Sequence, residues 1–291
     1  MPLDLAYWEG SPWTRQRAAC TAPPFPSKWC AAMFNVKYKL IYLKCPKAAG
    51  NTLVSLFGNC EVDAVDTCLK YVDLANTSEV QHVVSKWQDY FVFSFSRNIL
   101  ARALSQYHYL SQFIDSWPLA SWDEFCSDPF VLGDLVQQAN AAGQRCCSQS
   151  AEHQYVHVLP QAHCFTTATN ESAVDWLGRV EHFEDDVEEL FQLLNARSDL
   201  PQLPAPGNVT VVNAAERGSC TQRRRQRRLL GGGRGSSGGS GSSRQLAGEP
   251  RNSTFNPCDP MDYFRGPYAH CLDGLARFFA EDVSFLQAQQ K

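Results

Sequence analysis

The sequence predicts an α/β fold built around a mostly parallel β-sheet. Residues 38–43 and 90–95 are apolar at nearly every position, as expected of strands that are buried on both faces. Each segment is followed by a short loop and a helical pattern, and residues 174–194 repeat the order of strand, turn and amphipathic helix. With 291 residues, 44% of them hydrophobic, the chain can bury the core of one large domain.

The loop after the first predicted strand has the composition of an anion-binding loop. Its small side chains let backbone N–H groups approach a phosphate, and the helix opened by Thr52 turns its positive end toward it. The spacing differs from the G-x-x-x-x-G-K-S/T of the ordinary nucleotide-binding loop, so a plain strand-to-helix turn is the alternative interpretation. The predicted phosphate-binding residues are Lys47, Ala48, Ala49, Gly50, Asn51 and Thr52.

The second predicted strand ends in Arg97, and the helix after it carries Ser105 eight residues later. Because that separation is about two helical turns, we expect the guanidinium and the hydroxyl to converge on one phosphate. Ligands of parallel sheets bind at the carboxyl ends of the strands, so the Lys47 loop and Arg97 are predicted to share one site.

These segments resemble the motifs of the PAPS-dependent Golgi carbohydrate sulfotransferases, of the sulfotransferase family 2 type, where PAPS is 3′-phosphoadenosine 5′-phosphosulfate. The family's first motif is a loop similar to P-K-x-x-x-S/T, and its second is R-x-P-x-x-R-x-x-S-x-Y. Asn98 and Ile99 replace the acidic-proline pair that usually follows the first arginine. Residues 178–181 and 211–214 are similar to two later family segments, in the same order. Four positions match the second motif: Arg97, Arg102, Ser105 and Tyr107.

The resemblance implies a P-loop-like three-layer sandwich, with a central mostly parallel sheet flanked by helices. It also implies an enzyme that moves a sulfuryl group from PAPS to a hydroxyl group of a glycan, without a metal. Lys47 would then neutralise charge on the leaving phosphate, while Arg97 and Ser105 would hold the 3′-phosphate. Arg217, which follows the V-V-N-A segment, is a further candidate contact to a cofactor phosphate.

The predicted reaction also needs a general base for the proton of the acceptor hydroxyl. His82 is the predicted base, because it precedes the strand that ends in Arg97 and imidazole accepts protons near neutral pH. Glu181 and His108 are the alternatives.

Two other functions fit parts of the sequence. An ATP-dependent kinase would use the same loop but would need Mg²⁺ and an acidic partner for it. A secreted glycan-binding protein without catalytic activity would explain the cysteines and arginines, but it would leave both phosphate motifs unused. A nucleic-acid-binding protein is disfavoured, because the net charge is −4 and the basic residues are concentrated in one short run.

The composition divides the chain into an irregular lead-in over residues 1–34 and a single domain over residues 35–290. A segment at about residues 221–254, rich in arginine, glycine and serine, is predicted to be a flexible insertion because it cannot bury a core. A final helix is predicted over residues 268–286. Its expected inward side chains are Leu272, Leu275, Phe278, Phe279, Val283 and Phe285.

Twelve cysteines without metal-binding spacing favour disulfides in an oxidising compartment. Spacing leaves their connectivity open, and Cys20 with Cys30 and Cys258 with Cys271 are candidate pairs. Cys45 is interpreted as a buried structural residue and not as a nucleophile.

Four N-x-S/T sequons, at Asn76, Asn170, Asn208 and Asn252, point to the same secretory compartment. The sequence has no apolar run of about 18 residues that would predict a transmembrane helix. Because the resembling family has an N-terminal membrane anchor, the resemblance implies that this chain is the lumenal part of such a Golgi protein. The sequence predicts no oligomeric state.

Overall fold

A computed structural model describes residues 31–58, 60, 65–73, 76–114, 119–144, 146–167, 171–205 and 260–289. Their contacts define two compact units. The first comprises the described residues within 1–98, 159–210 and 281–291, and the second those within 99–158 and 211–280. The domain boundaries predicted at residues 34 and 35 and the insertion at about residues 221–254 stay predictions.

The described residues have an α/β fold, with a five-stranded mixed sheet and nine α-helices. The strands are β1 (Ala32–Asn35), β2 (Leu40–Leu43), β3 (Lys70–Tyr71), β4 (Phe91–Ser96) and β5 (Trp176–Arg179). The helices are α1 (Gly50–Phe57), α2 (Thr77–Lys86), α3 (Ile99–Ser111), α4 (Trp122–Ser127), α5 (Val131–Ala141), α6 (Ala151–Val158), α7 (Phe183–Asn195), α8 (His270–Phe278) and α9 (Ala280–Gln289).

The sheet of the first unit has the order β3-β1-β2-β4-β5 and is parallel only in part. Strands β2, β4 and β5 run parallel, whereas β1 is antiparallel to both β2 and β3. The antiparallel pair arises because a short turn, in which Asn35 Oδ1 accepts the Tyr38 N–H at 2.9 Å, reverses the chain directly into β2. Residues 32–34 therefore form part of a sheet strand, although the sequence had assigned them to the irregular lead-in.

Both faces of this sheet are covered by apolar side chains. Leu40 and Tyr42 of β2 point into a cluster that also contains Leu53 of α1 and Leu190 of α7. Ile41, between them, points into the opposite cluster with Val80 and Val83 of α2. This alternation explains the continuous apolar run, because each strand must supply side chains to two cores.

Helix α7 confirms the amphipathic pattern predicted after residue 174. All four of its predicted inward side chains are buried: Val187, Leu190, Phe191 and Leu194. Gly178, in the strand before it, is required by packing, since a Cβ there would lie 2.5 Å from the ring of Phe95.

The second unit is helical in the part that the structure describes. Trp122 of α4 donates its indole N–H to the carbonyl of Tyr263 at 2.7 Å, and the Arg102 guanidinium of α3 lies 5.8 Å from the Phe279 ring centre. A disulfide between Cys126 and Cys271 joins α4 to α8. The predicted pairing of Cys271 with Cys258 is therefore wrong, because distance in the fold and not in sequence decides which thiols meet.

The predicted final helix is two helices, since Phe279 between α8 and α9 leaves the helical conformation at φ −98° and ψ 31°. Leu275 and Phe279 are buried as expected, but Leu272 is 36% exposed. Because Phe279 interrupts the helix, one periodic pattern does not describe both halves.

All eight cysteines within the described ranges are paired in disulfides. The pairs are Cys45 with Cys164, Cys60 with Cys68, Cys126 with Cys271 and Cys146 with Cys147. The pair suggested for Cys20 and Cys30 lies outside the described residues. Among the helices described, none combines the length and the apolar character needed to span a bilayer.

Candidate functional site

The candidate site lies at the carboxyl edge of the three parallel strands of the first unit. Strands β2, β4 and β5 are neighbours in the sheet and run in the same direction, so the segments that follow them emerge at one edge. These segments are the loop 44–49, the pair Arg97 and Asn98, and the 3₁₀ turn Val180–His182. Each of them carries a charged residue that the sequence had singled out.

The loop after β2 has the backbone of an anion-binding site. Lys47 and Ala49 have positive φ values of 63° and 60°, which are uncommon for residues with a side chain. When positive and negative φ angles alternate along a backbone, successive N–H groups can turn toward one point, as in the concave backbone sites that bind anions. Ala49 also forms the N-cap of α1 and provides no side-chain cap, so the first-turn N–H groups keep their capacity to bind an anion.

A second lysine, Lys44, packs against the same loop. A Cβ at Gly50 would lie 2.9 Å from the aliphatic part of the Lys44 side chain, whose ammonium group donates a hydrogen bond to the hydroxyl of Tyr71. Thr52, in the first turn of α1, is only 2% exposed. No sequence pattern distinguishes Lys44, because a lysine at the end of a strand is common.

Arg97 joins the second motif to the first. Its Nη1 donates a hydrogen bond to the Lys47 carbonyl at 3.3 Å, although 50 residues separate them in sequence. The bond places the guanidinium against the loop with the positive φ angles. The Arg97 guanidinium therefore lies beside the loop that carries Lys47, and a guanidinium of this kind attracts an anion with several oxygens.

Gln161 holds the backbone of Arg97 from the other side. Its side-chain Oε1 accepts the Arg97 N–H at 2.9 Å, and its Nε2 donates to the Arg97 carbonyl at 2.7 Å. Gln161 is fully buried and opens the 3₁₀ turn Gln161–Cys164. The turn ends in Cys164, which is bonded to Cys45 at the start of the Lys47 loop. One short turn thus fixes both loops of the site.

The turn itself is anchored by the first acidic residues of α9. Asp282, which is fully buried, accepts the Ala162 N–H at 2.8 Å. Glu281 pairs with the imidazole of His163. The start of α9 therefore supports the site indirectly, through the turn that contacts Arg97 and Cys45.

Glu181 is the acidic residue of this edge. Its Oε1 accepts the N–H of Asn98 at 2.7 Å, so the carboxylate lies beside the residue that follows Arg97. Ser96 at the end of β4 donates to the Gly178 carbonyl at 3.1 Å, which aligns the two strand ends. Glu181 is solvent-exposed and in reach of an incoming ligand.

Arg179, two residues before Glu181, is engaged by Asp186 of α7. Asp186 accepts three hydrogen bonds from Arg179: from the backbone N–H at 2.6 Å, from Nε at 3.1 Å and from Nη2 at 2.9 Å. Burial raises the pKa of Asp186, but these hydrogen bonds and the charge of Arg179 outweigh burial and hold its pKa below the ordinary value. The ion pair between Arg179 and Asp186 orders the turn before α7. Asp186 therefore stabilises this turn, in addition to the favourable interaction of an acidic first turn with the helix dipole.

His82 lies on a different part of the first unit. It is exposed on α2, which leads through the 3₁₀ turn Trp87–Asp89 into the amino end of β4. Arg97 follows the carboxyl end of that strand, about 20 Å further along at the usual rise per residue. The structure therefore brings Arg97 and Glu181 to the Lys47 loop but does not bring His82 there.

The remaining predicted residues belong to other parts of the chain. Ser105 and Arg102 are buried on α3 in the second unit, and so is Tyr107, whose hydroxyl donates to the Ala120 carbonyl at 3.0 Å. His108, on the same helix, lies 5.4 Å from the ring centre of Tyr263. Arg217 and residues 211–214 lie outside the described residues.

Chemically, the edge offers backbone N–H groups and two cations for an oxyanion, with a carboxylate beside them as a proton acceptor. Cys45 adds no nucleophile, since its sulfur is bonded to Cys164. A scan against protein-family models, a search of curated proteins and a search of solved structures each find no match to this chain.

Proposed function

We propose that the protein is a sulfotransferase that moves a sulfuryl group from PAPS to a hydroxyl group of a glycan. The observation that carries the proposal is the hydrogen bond from Arg97 to the Lys47 carbonyl. It joins the two segments that the sequence assigns to phosphate binding, at the carboxyl ends of neighbouring parallel strands. A strand-to-helix turn that binds no ligand would not require a cation from the end of a second strand beside it.

The residues of the edge suit a donor that carries phosphate and sulfate groups. The uncapped first turn of α1 and the positive φ angles of Lys47 and Ala49 orient N–H groups toward an anion. Arg97 and Lys47 supply positive charge at this loop. The Lys47 carbonyl accepts from Arg97, which limits the freedom of the loop before a ligand binds and lowers the entropic cost of binding.

The transfer we propose is an in-line displacement at sulfur. The acceptor oxygen forms a bond to sulfur, its proton passes to the carboxylate of Glu181, and the bond from sulfur to the bridging phosphate oxygen breaks. The spent donor leaves as PAP, 3′-phosphoadenosine 5′-phosphate. Lys47 contributes most when that phosphate oxygen carries its greatest negative charge, as expected of an electrostatic catalyst.

Glu181 is preferred as the base over His82 because of its position. Glu181 lies beside Asn98, one residue from Arg97, whereas His82 lies on the helix that leads into the opposite end of β4. A base must reach the proton that it removes, directly or through one water, so position is the first requirement. The roles predicted for Ser105 and Arg217 in phosphate binding remain part of the proposal on sequence grounds.

We also infer the finer features of fold and location that the resemblance implies. Helices α1 and α7 cover one face of the sheet and α2 the other, which supports a layered α/β sandwich. Disulfides and an exposed Asn76 sequon support residence in the secretory pathway, where glycan acceptors and PAPS-dependent enzymes of the Golgi occur.

The test compares PAP with ATP and Mg²⁺ as ligands of the whole chain. PAP should raise the melting temperature and ATP with Mg²⁺ should raise it much less, because a ligand that binds only the native state stabilises it by mass action. Lys37→Ala is the matched control for Lys47→Ala, since Lys37 lies at the other end of β2 and pairs with the exposed Asp66. An equal response to both nucleotides would favour a kinase. No response to either would favour a non-catalytic glycan-binding protein.

A further inference from the structure

A second cluster of reactive side chains lies in the helical unit, where α4 meets the start of α8. His270 Nε2 is 3.9 Å from the sulfur of Cys126 and 3.9 Å from that of Cys271. The same nitrogen is 2.8 Å from Oδ1 of Asp123, one turn before Cys126 on α4. The two sulfurs and the imidazole nitrogen therefore surround one small volume.

We propose that Cys126, Cys271 and His270 bind one zinc ion when the Cys126–Cys271 disulfide is reduced. A thiol reductant supplies the two electrons and two protons that convert the disulfide into two thiols, and it is itself oxidised to a disulfide. Zinc then displaces both thiol protons and binds the two thiolates, with His270 as the third protein ligand and water in the fourth position. The disulfide and the zinc complex are alternative states of the same residues.

The positions of the donor atoms are close to those of a tetrahedral zinc site. With typical bonds of about 2.3 Å to sulfur and about 2.1 Å to nitrogen, an N–S ligand pair is separated by about 3.6 Å. Both observed N–S distances, 3.9 Å, are close to that value. The sulfurs must separate on reduction to about 3.8 Å, which thiols require in any case because they are no longer bonded.

The helices that carry these ligands are held together by contacts other than the disulfide. A Cβ at Gly274 would lie 2.6 Å from the carbonyl oxygen of Cys126, so α8 and α4 touch through their backbones. Ser121 and Glu124 cap the start of α4 reciprocally, and the Trp122 indole bonds to the Tyr263 carbonyl at 2.7 Å. These contacts keep the two thiols close to His270 after reduction.

The donor set and its exposure both favour zinc. Two thiolates with an imidazole select zinc over Mg²⁺ and Ca²⁺, which prefer oxygen ligands. The Cys126 and Cys271 side chains are buried, whereas those of His270 and Asp123 are 51% and 57% exposed. An ion can therefore enter from the surface, where His270 is exposed, and meet the buried sulfurs.

The test measures zinc-dependent protection of individual cysteines in the intact chain. The protein is reduced, incubated with or without one equivalent of zinc and treated with an alkylating agent, and each cysteine is quantified by peptide mass spectrometry. Zinc should protect Cys126 and Cys271 but leave Cys60 and Cys68 reactive. His270→Ala should abolish the protection, because it removes the only imidazole ligand of the cluster. The variant keeps the disulfide and can be purified folded in the oxidised state.

Three outcomes would overturn the proposal. They are equal protection of all four cysteines, protection that persists in His270→Ala, and an absence of protection, including the case in which circular dichroism shows that reduction unfolds the chain. His82→Ala is the matched control for a histidine away from the cluster, and it should bind zinc as the parent does.

Discussion

The guanidinium of Arg97 donates a hydrogen bond to the backbone carbonyl of Lys47 at 3.3 Å, and the two residues follow neighbouring parallel strands. Neither residue alone defines a site, because lysine and arginine are common at strand ends. Together they bring a lysine and an arginine to one loop, in which Lys47 and Ala49 have positive φ angles. Gln161 bonds to the backbone of Arg97, and the Cys45–Cys164 disulfide fixes the start of the loop that carries Lys47.

Lys47→Ala should reduce the rate of sulfate transfer about 10²-fold to 10³-fold, with a much smaller loss of PAP affinity. The reason is that the lysine acts mainly on charge that develops in the transition state. Single-turnover rates and PAP titrations on the same preparation separate the two effects. Lys37→Ala should leave both unchanged, and a Lys47→Ala loss confined to PAP affinity would refute the catalytic role.

Glu181→Gln should lower turnover about 10²-fold to 10⁴-fold while PAP affinity is retained, because the amide cannot accept the acceptor proton. The amide oxygen still accepts the Asn98 N–H, so the fold of this edge is kept. His82→Ala, measured in parallel, should retain activity within a few-fold of the parent. The opposite ranking of the two variants would restore His82 as the base.

Gln161→Ala should destabilise the protein by about 1–3 kcal/mol, because the N–H and carbonyl of Arg97 lose a buried partner. PAP affinity should fall as well, since Arg97 is no longer held against the loop. Urea unfolding and PAP titration report the two effects. Gln192→Ala, at an exposed position on α7, is the control and should change neither.

The Cys45–Cys164 disulfide should matter more than the Cys60–Cys68 disulfide. The chain-entropy relation gives about 5 kcal/mol for the sequence separation of 119 residues and about 2.5 kcal/mol for that of 8 residues. Only the double variant Cys45→Ser with Cys164→Ser should also weaken PAP binding, because only that pair ends in the loop of the site. If the double variant Cys60→Ser with Cys68→Ser lowered PAP affinity equally, the assigned role of the turn Gln161–Cys164 would be contradicted.

Asp186→Asn should remove part of the acid dependence of stability. The pKa of Asp186 is depressed in the folded state, so its contribution is present above its unfolded pKa of about 3.9 and is lost as pH falls through the folded value. Urea unfolding from pH 7 to pH 3 should show that the parent has the larger free energy of unfolding at pH 7. The difference between parent and variant should decrease toward pH 3. A difference that stays constant with pH would mean that the charge of Asp186 does not contribute to stability.

Local pattern determined the elements that carry the site. The apolar runs before residues 46 and 97 are strands, the segments after them are helices, and Gly178 precedes a turn and an amphipathic helix as predicted. These features depend on neighbouring residues, whose periodicity and size can be read directly from the chain. The same patterns located Lys47 and Arg97 at the ends of parallel strands.

Contacts between residues distant in sequence were decided only by the tertiary structure. Gln161 follows a proline and has no pattern of its own, yet it bonds to Arg97, 64 residues earlier. Cys271 had a plausible partner thirteen residues away but is bonded to Cys126. Sequence order also placed His82 near Arg97, whereas the strand between them separates the helix that carries His82 from the edge where Glu181 lies. The physical reason is the same in each case, because packing of the sheet and helices sets which side chains meet, and sequence separation does not.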